Sequence, residues 1–171
     1  TAELRQNIAG AGMRPPERYQ KWDRLILDAL DRTENQAPLN REPDGERVSP
    51  EWIDSLADNE VFVFGSNILG FHDGGASELA LLKFGAIYGR AEGIQGQSYA
   101  IPTDGLAYPE IHTAISRFLD YAEIHPELKF LVTRIGCGTA GYDESQIAFM
   151  FANAVSMQNV LLPKSFWKFL L

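Results

Sequence analysis

The chain has 171 residues, of which 45% are hydrophobic and 22% are charged, a balance typical of one ordinary globular domain with a buried core. Its formal net charge of −8 disfavours non-specific binding to nucleic acid or to an anionic membrane surface. No apolar run approaches the roughly 20 residues that span a bilayer, and Cys137 is the only cysteine, so we expect a cytoplasmic protein without an intramolecular disulfide.

The first 57 residues are predicted to form a helical extension packed on the main domain. Apolar residues recur at three- and four-residue spacing over residues 16–32, which predicts an amphipathic helix. Residues 33–47 contain two prolines and no periodicity, and therefore predict a surface loop. Ser49 resembles a helix N-cap with Pro50 at the first helical position, which predicts a short helix over residues 49–57.

Residues 58–171 alternate strands with helices. Apolar stretches rich in β-branched and aromatic residues predict strands at residues 60–64, 98–103, 129–134 and 159–162. Helices are predicted at about residues 76–84, 111–124, 143–154 and 163–171. This alternation predicts an α/β fold of three layers, α/β/α, with a mainly parallel central sheet covered on both faces.

Two of these strands run into polar loops that contain glycine. The stretch VFVFGSN covers residues 61–67, and FLVTRIGCGTAG covers residues 130–141. Open α/β sheets bind ligands beyond the carboxyl ends of their strands, so the two loops predict a ligand pocket at that edge.

The segment GCGTAG, residues 136–141, presents backbone N–H groups with little side-chain bulk between a strand end and the next helix. That arrangement suits a diphosphate. The alternative is a simple turn in which glycine supplies positive φ. The segment lacks the Lys-Ser/Thr ending of a P-loop and does not match G-x-G-x-x-G, which disfavours a triphosphate or dinucleotide fold.

Several single residues allow two interpretations. Asn67 either bonds ribose hydroxyls or closes an Asx turn. Asp73 is either a proton acceptor or a helix N-cap, and His72 is either a proton acceptor or a solvated loop residue. Cys137, between two glycines, is better explained as a small filler than as a nucleophile. The histidines show no ligand spacing, so no metal site is expected.

The motifs VFVFGSN, HDGGAS, QSYAIPT and LVTRIGCGTAGY resemble the macrodomain fold in a bacterial and phage-type variant, over roughly residues 60–171. The resemblance implies that the partner is ADP-ribose or an ADP-ribosylated macromolecule, and that no cofactor is needed. It places Asn67 near the distal ribose, with Tyr142 packed on that ribose. The ligand-binding residues that we predict are Gly65, Ser66, Asn67, Gly74, Gly75, Gly136, Cys137, Gly138, Thr139, Ala140, Gly141 and Tyr142.

One departure from the family bears on catalysis. Hydrolytic macrodomains of the best-known type have an Asp just after the glycine run, whereas this chain has Ser77 at the matching position. If the chain is an ADP-ribosyl hydrolase, His72, Asp73 and Glu78 are the candidate proton acceptors for water that attacks the distal ribose. The alternatives are an enzyme that acts on another nucleotide or phosphorylated metabolite through the same loops, and a non-catalytic interaction module.

Overall fold

The computed structural model describes residues 45–171. All of these residues belong to one compact unit. The predicted helix at residues 16–32 lies outside the described residues, as does most of the predicted loop that follows it.

Over residues 45–171, six strands form the central sheet. They are β1 (Val48–Ser49), β2 (Glu60–Asn67), β3 (Gly93–Gln95), β4 (Ser98–Asp104), β5 (Lys129–Val132) and β6 (Val160–Pro163). Their order across the sheet is β1-β6-β5-β2-β4-β3. All neighbouring pairs are parallel except β3 and β4, which are antiparallel. The predicted α/β class with a mainly parallel sheet is therefore confirmed.

In the described part of the chain, four α-helices connect or follow the strands. They are α1 (Gly75–Lys83), α2 (Tyr108–Glu123), α3 (Glu144–Met150) and α4 (Lys164–Leu170), and a 3-10 helix (Ala152–Ser156) follows α3. The helix predicted to run from residue 143 to 154 is thus an α-helix followed by a separate 3-10 turn. None of the helices in the described part of the chain is long and apolar enough to cross a bilayer.

The sheet is buried on both faces. Successive side chains of a strand point to opposite faces, and β2 divides accordingly. Val61 and Val63 join the larger core, to which α2, α3 and α4 contribute. Phe62 and Phe64 join a second core beneath α1, together with Ala80. Layers of helices therefore lie on the two sides of the sheet.

The prediction of a helix over residues 49–57 is wrong. Ser49 lies in β1, where its hydroxyl donates a hydrogen bond to the Leu161 carbonyl at 3.1 Å instead of capping a helix. The segment that follows contains only bends and a turn, and Ile53 and Leu56 pack against the core beneath α1. Burial of these two apolar side chains outweighs the local N-cap signal.

Strand β2 is three residues longer than predicted, because Gly65, Ser66 and Asn67 continue to pair with β4. The two missed strands, β1 and β3, lie at the edges of the sheet and span two and three residues. Strands this short carry too little alternation for a sequence pattern to detect.

Arg47 anchors β1 to the rest of the unit. Its side chain is buried, and it donates to the carbonyls of Ala154 at 2.8 Å, Val155 at 3.2 Å and Val160 at 3.3 Å. The guanidinium carbon lies 5.3 Å from the centre of the Trp167 ring, and the indole N–H donates to the Arg47 carbonyl at 3.1 Å. The residue joins the start of the sheet to α4 and to the 3-10 helix.

We expect Arg47→Met to lower the free energy of unfolding by about 2–3 kcal/mol, since it leaves buried carbonyls without their charged donor. Urea unfolding monitored by circular dichroism measures the change. Arg90→Met is the control, because the Arg90 side chain is exposed and its loss should change stability by no more than about 0.5 kcal/mol. Equal effects of the two substitutions would contradict the anchoring role of Arg47.

Candidate functional site

A pocket of about 540 Å³ opens at the carboxyl ends of β2, β4 and β5, the edge at which the sequence predicts a site. Two loops complete its walls, one between β2 and α1 and the other between β5 and α3. The lining residues are Gly65, Ser66, Asn67, Phe71, Asp73, Gly74, Gly75, Ala76, Ser77, Thr103, Asp104, Thr133, Arg134, Ile135, Gly136, Gly138, Thr139 and Ala140.

The loop after β5 presents open backbone to this pocket. It closes on itself through two hydrogen bonds, from the Gly141 N–H to the Gly138 carbonyl at 3.0 Å and from the Tyr142 N–H to the Gly136 carbonyl at 3.1 Å. Within the described residues, the N–H groups of residues 136–140 donate no hydrogen bond. Such a run of unpaired donors in a concave loop binds anions well.

Two glycines of this loop, Gly136 and Gly138, differ in how strictly the fold requires them. Gly136 has a φ of 73°, and a Cβ there would lie 2.8 Å from the Cδ1 of Ile147 in α3. Gly138 has no positive φ, and a Cβ there would meet nothing within 4 Å. The fold therefore requires glycine at residue 136. At residue 138 the fold would accept a side chain, but that side chain would occupy open space at the pocket.

The N-terminus of α1 faces the pocket from the other loop. Its N-cap is Gly74, which has no side chain to cap the first N–H groups. Gly75, Ala76 and Ser77 in the first turn line the pocket. The first N–H groups of a helix lack partners within the helix and carry partial positive charge. The Ser77 hydroxyl donates to the Gly74 carbonyl at 2.7 Å, so it stabilises this turn.

The side chain of Asn67 organises the loop that follows β2. Its Oδ1 accepts hydrogen bonds from the N–H groups of Leu69 at 3.1 Å and Phe71 at 3.0 Å, and its Nδ2 donates to the Phe71 carbonyl at 2.9 Å. The Asx-turn interpretation of Asn67 therefore describes its main contacts. One amide hydrogen remains for a ligand, because a side-chain amide has two.

Of the three candidate proton acceptors, only Asp73 lines the pocket. Glu78 lies on the exposed surface of α1 and is not among the lining residues. His72 is 1% exposed, with its ring edge-on to Phe64 at 5.1 Å, so it is a core residue and the solvated-loop interpretation is wrong. Neither of its ring nitrogens has a hydrogen-bond partner among the described residues.

The charges around the pocket do not favour an anion by themselves. Arg134 is the only basic residue in the lining, and it forms an ion pair with Glu144. Asp73 and Asp104 add two carboxyl groups. In the described part of the chain, no group of three or more His, Cys, Asp or Glu side chains could hold a metal ion. Anion binding in this pocket must therefore come mainly from backbone N–H groups.

Cys137, Gly141 and Tyr142 were predicted to bind the ligand, and the structure places them outside the pocket lining. Cys137 and Tyr142 are partly buried against the larger core. The Tyr142 hydroxyl donates to the Leu106 carbonyl at 3.1 Å, so it joins the loop after β5 to the turn before α2. Cys137 and Tyr142 therefore pack the loop after β5 against the core.

The sequence missed lining residues that come from strand ends. Thr103 and Asp104 end β4, and Thr133 and Arg134 follow β5. Their position at the carboxyl ends of predicted strands, or directly after them, is the signal that could have identified them, since strand ends meet at the pocket. Phe71 gave no such signal, because it lies in a loop without periodicity.

A second pocket of about 400 Å³ lies over β4 and α2. Its main charged groups are Glu92 and Arg117, which pair with each other through bonds of 2.6 and 3.0 Å. It contains no glycine loop with unpaired N–H groups. The first pocket is therefore the better candidate for a phosphate-containing ligand.

No family model, curated protein or solved structure matches this chain. The assignment of a ligand therefore depends on the sequence motifs and on the geometry of the first pocket.

The structure supports the filler interpretation of Cys137 over that of a nucleophile. Burial raises the pKa of the Cys137 thiol, and the nearby Glu144 carboxylate raises it further, while Arg134 opposes them. Its sulfur also lies 3.4 Å from the Ile135 carbonyl. A raised pKa means that less of the nucleophilic thiolate is present at a given pH.

We therefore expect iodoacetamide to alkylate Cys137 slowly near neutral pH. The rate should still be rising above pH about 8.5, where an ordinary cysteine is half ionised. Mass spectrometry of the alkylated chain across a pH series measures this profile, and the chain unfolded in urea is the control. Rapid alkylation of the folded chain at neutral pH would restore Cys137 as a candidate nucleophile.

Proposed function

We propose that the first pocket binds ADP-ribose or a closely related nucleotide diphosphate. The observation that carries this proposal is that two segments along one pocket carry backbone N–H groups without a hydrogen-bond partner among the described residues. One set belongs to the glycine loop at residues 136–140, and the other to the N-terminus of α1. Two such sets suit the two linked phosphates of a diphosphate.

The size and fold of the site support the same ligand class. A volume of about 540 Å³ lies within the usual range for nucleotide-sized ligands. The end of VFVFGSN, the HDGGAS segment and the GCGTAG loop all contribute lining residues to this one pocket. These are the motifs that carry the macrodomain resemblance, and a mainly parallel sheet with helices on both faces is compatible with that family.

A hydrolytic activity on ADP-ribosyl adducts is the enzymatic form of this proposal. Asp73 is the candidate that can reach a ligand, because it is exposed, lines the pocket and directly precedes Gly74. As a carboxylate it could accept a proton from the attacking water. Asp104 is a second carboxyl group at the pocket, at the end of the neighbouring strand.

The binding proposal is tested by Gly138→Val. We expect the variant to keep its fold, since a Cβ there meets nothing within 4 Å, and to lose at least about 10-fold in affinity, because the branched side chain fills diphosphate space. Isothermal titration with ADP-ribose measures affinity, and ADP-ribose should raise the melting temperature of the parent chain while adenosine raises it little.

Gly45→Val is the matched control, because Gly45 also lacks positive φ and lies outside the pocket. It should leave ADP-ribose binding unchanged. A folded Gly138→Val chain with parental affinity would show that the loop after β5 is only a turn. An equal thermal shift with adenosine would argue against recognition of the diphosphate.

Catalysis is tested by Asp73→Asn. If Asp73 is the base, we expect release of ADP-ribose from ester-, amide- or base-linked adducts to slow by about 10²–10⁴-fold, with ADP-ribose affinity nearly unchanged. Glu78→Gln makes the same chemical change outside the pocket and should leave turnover at the parental rate. Unchanged turnover in Asp73→Asn would exclude Asp73 as the base. Binding without turnover of any adduct would define a reader module.

A further inference from the structure

An exposed pair of stacked aromatic rings lies at the edge of the first pocket. The rings of Phe71 and Tyr88 have centres 5.2 Å apart and planes only 10° from parallel. Phe71 is 41% exposed and Tyr88 is 53% exposed. Contact between the two rings thus leaves about half of this aromatic surface in solvent, which suggests a surface for binding.

The loop that carries Phe71 is held in place on both sides. Asn67 bonds the N–H and the carbonyl of Phe71 through its side-chain amide. The Gly89 N–H donates to the Gly70 carbonyl at 2.8 Å, and a Cβ on Gly70 would lie 2.5 Å from the Arg90 nitrogen. The two loops therefore meet through their backbones, and only glycine fits at residue 70.

The loop that carries Tyr88 is fixed from the sheet. Gln95 of β3 is buried, and its Oε1 accepts from the Ile87 N–H at 2.7 Å while its Nε2 donates to the Arg90 carbonyl at 2.8 Å. These two hydrogen bonds hold the backbone in place on either side of Tyr88. An aromatic pair that is ordered before a ligand arrives loses little conformational freedom on binding.

Phe71 itself lines the pocket, whereas Tyr88 does not. Tyr88 stacks on one face of the Phe71 ring, and the exposed part of that ring remains accessible at the pocket. Every nucleobase has a flat π-face, and stacking on an aromatic side chain needs no hydrogen-bond readout. The acidic chain disfavours a whole nucleic-acid strand, so the surface suits a single base.

We propose that Phe71, backed by Tyr88, is a stacking platform for a nucleobase of the ligand. This inference rests on the proposed nucleotide-diphosphate function and adds a specificity determinant to it. The base has two possible sources, which are the adenine of ADP-ribose and a base to which the ADP-ribosyl group is attached.

Phe71→Leu tests the platform, because it keeps an apolar side chain and removes the ring. The probes are ADP-ribose, ADP-ribosyl-serine and an ADP-ribosyl-thymidine adduct, each titrated by calorimetry. Loss of one base stack corresponds to an increase of about 5- to 150-fold in Kd. If adenine is stacked, all three ligands weaken by that factor. If the attached base is stacked, only the thymidine adduct weakens.

Phe169→Leu is the matched control, since Phe169 is 40% exposed on α4 and lines neither pocket. It should leave every Kd unchanged, and thermal melts should show both variants folded. Tyr88→Leu should give a smaller loss than Phe71→Leu, and Tyr88→Phe should retain parental affinity because it keeps the stack.

Parental Kd values for all three ligands in Phe71→Leu would overturn the platform and leave the proposed function intact. Failure of the parent chain to bind any of the three would overturn the proposed function and the platform together.

Discussion

The fold and the pocket both depend on β2, because this strand is fixed on every side. Its two faces are buried in separate cores, and its two edges pair with β4 and β5. At its end, a Cβ on Gly65 would lie 3.3 Å from the Thr103 hydroxyl and 3.5 Å from the Ile135 side chain. The loops from three neighbouring strands can therefore converge closely, and that convergence creates one pocket with backbone on two of its walls.

The sequence predicts the parts of this architecture that local pattern controls. Strands β2, β4, β5 and β6 are apolar runs, and the helix that starts after Asp143 has its N-cap where expected, with the Asp143 N–H bonded to the Gln146 side chain at 3.1 Å. The parts controlled by distant contacts escape prediction. Arg47 bonds carbonyls more than 100 positions away, and no local signal indicates that β1 would pair with β6.

The candidate site shows the same division. The glycine loop and the β2 end are visible as motifs, and the structure brings them to one pocket. Roles of individual side chains depend on hydrogen bonds that the sequence does not specify. Most hydrogen bonds of the Asn67 side chain go to the backbone of the following loop, and His72 lies in the core beside Phe64, although both residues belong to motifs that were predicted to bind the ligand. Proximity to a motif in sequence therefore identifies a pocket better than it identifies a base.

The walls of the pocket differ in the polar groups that they carry. An acidic chain with one basic residue in the pocket lining could hold the proposed diphosphate only where neutral N–H groups supply the donors, and the loop after β5 and the start of α1 carry such groups. Asp73 and Asp104 would repel phosphate but accept hydrogen bonds from ribose hydroxyls. A pocket that combines these two chemistries discriminates between the parts of one ligand, because a bare anion gains from the N–H groups and loses against the carboxylates. The proposed ribose-diphosphate ligand would meet donors on one wall and acceptors on the other, and this is the physical reason to propose it over inorganic phosphate or a simple sugar.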